Sequence, residues 1–303
     1  MDPVCWEHHP ALRRPLFVVA FEGWNDAGDA ATTALNYLAG AWDAQVFATI
    51  SAEDFFDFTV TRPQVRLSES GQRRIDWPDI ELLAAELPDA AHDVVLVRGV
   101  EPQLRWKTFA AAMVSVARTL QAELAVVLGA LLADVPHSRP VRVSGTTDDP
   151  ELALRLGLAR TRYEGPVGIV GVLHEALRRA GIPAATFWAA VPHYVHQVPS
   201  PKAALALVER SASLFGARLD PDDLRRASVE YEREVSERVR DDGDAAAYVA
   251  RLEEAEDADR SEDGGELSEA GIDPTAVSRL RLANADELAA EVQRYLRDHH
   301  REA

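Results

Sequence analysis

The chain has 303 residues, 47% hydrophobic and 27% charged, the balance of a globular protein long enough to bury a core without covalent staples. Its net charge of −18 argues against nucleic acid, which is held by a basic face. A single cysteine, Cys5, excludes an intrachain disulfide and a multi-cysteine metal site, and no apolar run approaches the roughly 20 residues that span a bilayer.

The opening stretch MDPVCWEHHPALRRP has no basic segment followed by an apolar run, so it does not read as a secretory signal, and a cytoplasmic location is expected. Short apolar runs then alternate with helical patterns through the first two thirds of the chain, which favours an α/β sheet covered by helices. Leu16–Phe21 is apolar on both faces, as buried strands are. Glu22-Gly23-Trp24-Asn25 is a loop into a helix through about Leu38, with Gly40 as its stop. Gln45–Ile50 and Asp93–Arg98 are expected strands, and Leu104–Gln121 is a helix with apolar spacing at Ala110, Met113, Val114, Ala117 and Leu120. Leu124–Leu131 and the short Val141–Val143 are further strands, and Gly165-Pro166 opens a helix through about Arg179. Ala185–Val191 is the last strand. Ser200-Pro201 caps a helix that Gly216 ends.

After Gly216 the character changes. Residues 220–263 carry 17 acids against 7 Arg, more than half of the chain's net charge. Asp220-Pro221 starts a charged helix with Leu224, Ala227, Val229, Tyr231 and Val235 as its apolar residues, and a second helical stretch runs from Ala245 to about Ala258. Asp257–Gly271 reads as an acidic, mobile linker, and Ala285 to about His299 as a last amphipathic helix. The organisation expected is a core over 1–218 and an acidic helical extension over 219–303. The extension has too little apolar area for its own core and is expected to pack on the α/β core or on a neighbouring subunit. No internal repeat is evident.

Several short signatures occur in order. They are Phe21-Glu22-Gly23-Trp24-Asn25-Asp26-Ala27-Gly28, Arg98-Gly99-Val100-Glu101-Pro102 followed by Trp106, and Leu128 through Asp134-Val135-Pro136-His137-Ser138-Arg139-Pro140. Tyr163-Glu164-Gly165-Pro166 and Trp188-Ala189-Ala190-Val191-Pro192-His193-Tyr194-Val195 complete the set. Together they resemble the proteasome assembly chaperone 2 family over Leu16 to about Gly216. That resemblance implies a three-layer α/β/α sandwich related to purine nucleoside phosphorylases and zinc peptidases, here with a C-terminal helical extension. It also implies a role like that of chaperones that help proteasome α-subunits form rings. The partners it implies are further copies of the chain, a trimer before other counts, and proteasome subunits. Some members dock through a C-terminal hydrophobic-Tyr-X tail. The chain ends Asp298-His-His-Arg-Glu-Ala303, with Tyr295 eight residues inside, so docking through such a tail is not expected.

Two constellations carry the candidate chemistry. Glu22, Trp24, Asn25 and Asp26 lie where a strand hands over to a helix, a place where α/β proteins often bind ligands. Glu22, Asp26 and Asp29 would repel a phosphate, however, and the G-x-G-x-x-G pattern is absent. The plainer expectation is that Asn25 or Asp26 caps the helix and Trp24 packs under the loop. His137 and Arg139 follow one strand, and His193 and Tyr194 follow another. If those strands are adjacent and parallel, the imidazoles, the guanidinium and Glu101 converge on one edge. A His–Glu pair can do acid–base work and Arg can hold an oxyanion, so a hydrolase or transferase of phosphorylase-like fold is the alternative function. The plainer reading is that these side chains satisfy loop backbone and subunit contacts. No G-x-S-x-G elbow, metal-spaced histidine set or ATP-binding glycine loop accompanies them. No residue is therefore assigned a catalytic role, and neither cofactor nor metal is expected. The reading favoured is a non-catalytic, oligomeric assembly or binding protein.

Overall fold

Apolar runs without alternation become the centre of one sheet in the computed structural model, which describes residues 3–68, 71–158, 165–217 and 219–262. The strands are β1 (Val4–Trp6), β2 (Leu16–Glu22), β3 (Gln45–Ile50), β4 (Gln64–Leu67), β5 (Arg73–Asp76), β6 (Ile80–Ala85), β7 (Val94–Val100), β8 (Leu124–Ala133), β9 (Val143–Thr146) and β10 (Ala184–Pro192). The helices are α1 (Ala30–Ala41), α2 (Trp106–Thr119), α3 (Pro150–Leu156), α4 (Ile169–Arg179), α5 (Pro201–Phe215), α6 (Asp222–Arg240) and α7 (Gly243–Glu262).

Eight strands form a mixed sheet in the order β1-β3-β6-β7-β2-β8-β10-β9, and β4 pairs with β5 in a separate two-stranded sheet. The centre, β7-β2-β8-β10, is parallel, and the strands flanking it are antiparallel. The period of two along β2 divides the core. Leu16, Val18 and Ala20 face α1, α5 and Leu224 of α6. Phe17, Val19 and Phe21 face α2 and α4 on the other side. The chain is thus a three-layer α/β/α sandwich with further helices after residue 216.

Several boundaries differ from expectation, each for a local reason. α1 does not begin at Asn25 or Asp26. A 3-10 turn, Ala27–Asp29, intervenes, with Gly28 at φ +58°. A side chain at Gly28 would also press on Ser200, whose backbone N–H donates to the Gly28 carbonyl at 2.7 Å. Gly40 lies inside α1 rather than stopping it, because its exposed face costs a helix little where tertiary packing holds the turn. The short strand expected at 141–143 is Val143–Thr146, set by its antiparallel pairing with β10. α4 starts at Ile169, not at Gly165-Pro166. Asp149 begins the unexpected α3 by accepting from Glu151 and Leu152 N–H, with Pro150 in the first turn. α5 follows its expected caps, Ser200 at the start and left-handed Gly216 at the end.

The extension packs back on the core. Leu224, Tyr231, Val235 and Val249 are buried. α7 runs to Glu262, so the first residues of the stretch expected as a linker, 257–262, are helical. The remainder of that stretch, the last expected helix over 285–299, and the Tyr163-Glu164 pair lie outside the described residues.

Candidate functional site

β8 and β10 are adjacent and parallel, with Ala133 opposite Pro192 at their carboxyl ends, so the loops carrying His137 and His193 meet there. The Tyr194 hydroxyl accepts from the His137 backbone N–H at 2.8 Å and lies 2.8 Å from His137 Nδ1. The other ring nitrogen, Nε2, lies 2.9 Å from Ser236 Oγ, so both ring nitrogens have a hydroxyl partner. Burial holds the imidazole below its usual pKa, and Lys202 adds to the effect, so the ring is neutral. Lys202 Nζ donates to the His137 carbonyl at 2.6 Å and pairs with Glu232 of α6.

α7 closes over the same loops. Arg139 grips Asp257 with two hydrogen bonds, 2.8 Å from Nε and 2.7 Å from a terminal nitrogen, and also reaches Glu253. Ser138 donates to Glu253, and Arg142 makes a second fork onto buried Glu256 at 2.9 and 2.8 Å. His193 pairs with Asp134 at 3.1 Å, and the Tyr248 hydroxyl donates to the same carboxylate oxygen at 3.1 Å. The Tyr248 ring stands edge-on to both His193 and Tyr194. Burial, with Asp134 beside it, pushes the Tyr248 phenol up to about 12. Among Pro136, His137, Arg139, Lys202 and Tyr231 the remaining cavity is about 10 Å³, room for a single water.

Glu101 is not part of this cluster. It accepts from Asn25 Nδ2 at 2.8 Å and from the Ile169 N–H at 2.9 Å, so it caps α4 from the end of β7. Gly168 has no side chain because a Cβ there would lie 2.5 Å from Asn25 Oδ1. The Asn25 carbonyl accepts from Ala130 N–H at 2.8 Å, which pins the loop to β8. Asp26 accepts from Ala31 N–H at 2.6 Å, from Thr32 N–H at 3.3 Å, and from the Thr32 hydroxyl. It therefore caps α1 from across the 3-10 turn. Burial pushes its carboxyl up to about 6 despite those donors. Trp24, expected to pack under the loop, instead faces solvent at 65% exposure. The glycine on one side and the buried Asn25 on the other leave its indole no apolar recess. Glu22, the last residue of β2, is exposed.

The nine candidate residues thus fall into two groups. His137, Arg139, His193 and Tyr194 meet beneath α6 and α7. Glu22, Trp24, Asn25, Asp26 and Glu101 gather at the ends of β2 and β7. Residues not singled out in the sequence are Lys202, Ser236, Tyr248, Glu253 and Asp257, which supply partners of the first group, and Glu256, which holds Arg142 beside it. Only Lys202 carried a signal, as one of two lysines in the chain. Among the described residues no cluster of three or more His, Cys, Asp or Glu is placed to hold a metal ion, and no helix is long and apolar enough to cross a membrane.

The PAC2 family model matches residues 20–239. A crystal structure of a PAC2 family protein from Streptomyces avermitilis is 47% identical, with a TM-score of 0.72, covering 78% of this chain and 99% of that one. A proteasome-assembly chaperone homologue from Mycobacterium tuberculosis is 45% identical, with a TM-score of 0.71, over 77% of this chain and 99% of that one. An archaeal proteasome activator from Pyrococcus furiosus, PbaB, shares the fold at 16% identity and a TM-score of 0.64, over 78% and 99%. No curated protein is similar to the chain at a significant level. With the family model spanning most of the sandwich and α6, the chain belongs to the PAC2 family.

Proposed function

We propose that the chain is a non-catalytic assembly protein that works as a homo-oligomer in the cytoplasm and binds proteasome subunits. The observation that carries this reading is the use made of the polar edge. His137, Arg139, His193 and Tyr194, which would have to serve a substrate, spend their hydrogen bonds on Ser236, Asp257, Asp134 and one another. A hydrolase or transferase needs an open pocket between such groups, typically hundreds of Å³. The space left here is about 10 Å³. Similarity to the Mycobacterium tuberculosis proteasome-assembly chaperone homologue supports the same direction, as does family membership.

The binding face we assign is the other group. Trp24 is 65% exposed and Val167 50% exposed, and each is the chain neighbour of a residue in the tight Asn25–Gly168 contact. A large indole held out on a pinned loop is the kind of side chain that anchors protein-binding hot spots. Capture of a purified proteasome α-subunit by the full chain tests the reading. Wild type is expected to retain the subunit and Trp24→Ala to lose it. Equal retention by both, or none by wild type, contradicts it.

A further inference from the structure

The arm formed by β4 and β5 stands apart from the core sheet. Val65 pairs with Ile75 and Arg66 with Arg74, so alternation sets Val65, Leu67 and Ile75 on one face and Arg66 and Arg74 on the other. Every residue of both strands is exposed except half-buried Asp76. Val65, Leu67 and Ile75 are 52%, 70% and 53% exposed. At the foot of the arm Val60 and Trp77 are exposed too, Trp77 edge-on to Phe58 with ring centres 5.0 Å apart. A two-stranded hairpin bare on both faces is marginal in water. An apolar patch of a few hundred Å² on such an element marks a contact surface.

Charge says what covers it. Residues 60–77 hold four Arg against Glu69 and Asp76, a basic arm on a chain of net charge −18. Arg66 and Arg74 pair with Asp76 at 2.8 and 2.6 Å, so Arg62 and Arg73 are the ones the arm offers to a partner. The acidic surface it complements is the chain's own extension. Asp241 and Asp242 are exposed in the turn between α6 and α7, Asp244 is exposed in the first turn of α7, and Val229 on α6 is 71% exposed. Within one copy the arm and that surface sit towards opposite sides of the sheet. The arm leads directly into β6, third in strand order, while the extension closes over the ends of β8 and β10, sixth and seventh. From β6 to β10 is about 19 Å at roughly 4.8 Å per strand. A second copy of the chain can set the one surface against the other.

We infer that the β4–β5 arm docks on the acidic α6–α7 surface of a second copy of this chain, its apolar face covered and Arg62 and Arg73 set against the aspartates. Repeated around an axis, an arm-to-extension contact closes into a cyclic oligomer. The inference rests on the proposed self-association but not on proteasome binding.

Native mass spectrometry of the full chain tests it. Wild type should appear as a multiple of 33.2 kDa, and Leu67→Glu/Ile75→Glu should shift to the single mass. The circular dichroism spectrum should match wild type, because the arm is exposed and lies outside the core. Arg62→Glu/Arg73→Glu should weaken self-association at least tenfold, and adding Asp241→Arg/Asp244→Arg should restore it. A monomeric wild type overturns the inference, as do arm variants that keep the wild-type mass or a charge swap that restores nothing. Scoring α-subunit capture on the same samples separates the two readings. Intact oligomers without capture count against proteasome binding alone, and a capturing monomer overturns self-association, and the arm with it, while leaving proteasome binding in place.

Discussion

The Arg139 guanidinium lies fork to fork on the Asp257 carboxylate, at 2.8 and 2.7 Å, and so ties the loop after β8 to α7. A residue type suited to holding a substrate oxyanion is occupied by the chain's own helix. Arg139→Ala is therefore expected to speed amide hydrogen exchange in α7 with little change in the melting temperature, since the pair is solvent-accessible. A thermal-shift screen of phosphates, nucleosides and carboxylates should give no stabilising hit that depends on Arg139. A reproducible hit abolished by Arg139→Ala would reinstate the enzyme reading.

Asp26 gives a pH signature. Its folded pKa of about 6 lies above the ordinary value of 3.8, so folding takes up a proton between those values. The stability it contributes is fully present below the ordinary value and is lost as pH rises through about 6. The loss is about 3 kcal/mol, because each tenfold difference in proton affinity between the folded and unfolded chain is worth roughly 1.4 kcal/mol. Urea unfolding across the acid range should show this slope in wild type and its absence in Asp26→Asn. Parallel profiles for the two proteins would refute the assignment.

The core makes a separate prediction. Phe109 is fully buried on α2, edge-on to Phe21 at 5.7 Å and to Phe55 at 5.4 Å. Phe109→Ala should cost about 3–5 kcal/mol, the range for emptying an aromatic site in a packed interior. Loss of less than about 1 kcal/mol in chemical unfolding would mean that this layer is not packed as described.

How much of this is legible in the sequence follows from what each signal depends on. β2, β7, β8 and β10 are readable because strands buried on both faces are largely apolar, β3 because Val46, Phe47 and Ile50 are strand formers in a short run, and α5 because Ser200, Pro201 and Gly216 punctuate it. β6 is not. Ile-Glu-Leu-Leu-Ala-Ala suits a helix by composition, and pairing with β3 and β7 overrides it. β4 and β5 alternate with charge and bury nothing, so no core pattern announces them. His137 and His193 come together as expected because the two strands before them are parallel neighbours. Glu101, expected beside them, is held apart because β7 lies two places away from β8, across β2. The partners Asp257 and Ser236 are about a hundred or more residues along the chain from Arg139 and His137, and nothing local in the sequence encodes such a meeting.

Trp24 offers a test that leaves the fold intact. With 65% of its surface exposed, its replacement by Ala should change unfolding free energy by no more than about 0.5 kcal/mol while removing partner capture. A variant that unfolds readily would instead make Trp24 a packing residue.

If this chain assists assembly by binding rather than by catalysis, it must travel with the subunits it helps. Native mass spectrometry of proteasome α-subunits forming rings, with and without the full chain, measures that directly. Intermediates containing both proteins and faster appearance of complete rings are expected. Rings forming at an unchanged rate, with no species that contains this chain, would contradict the binding role.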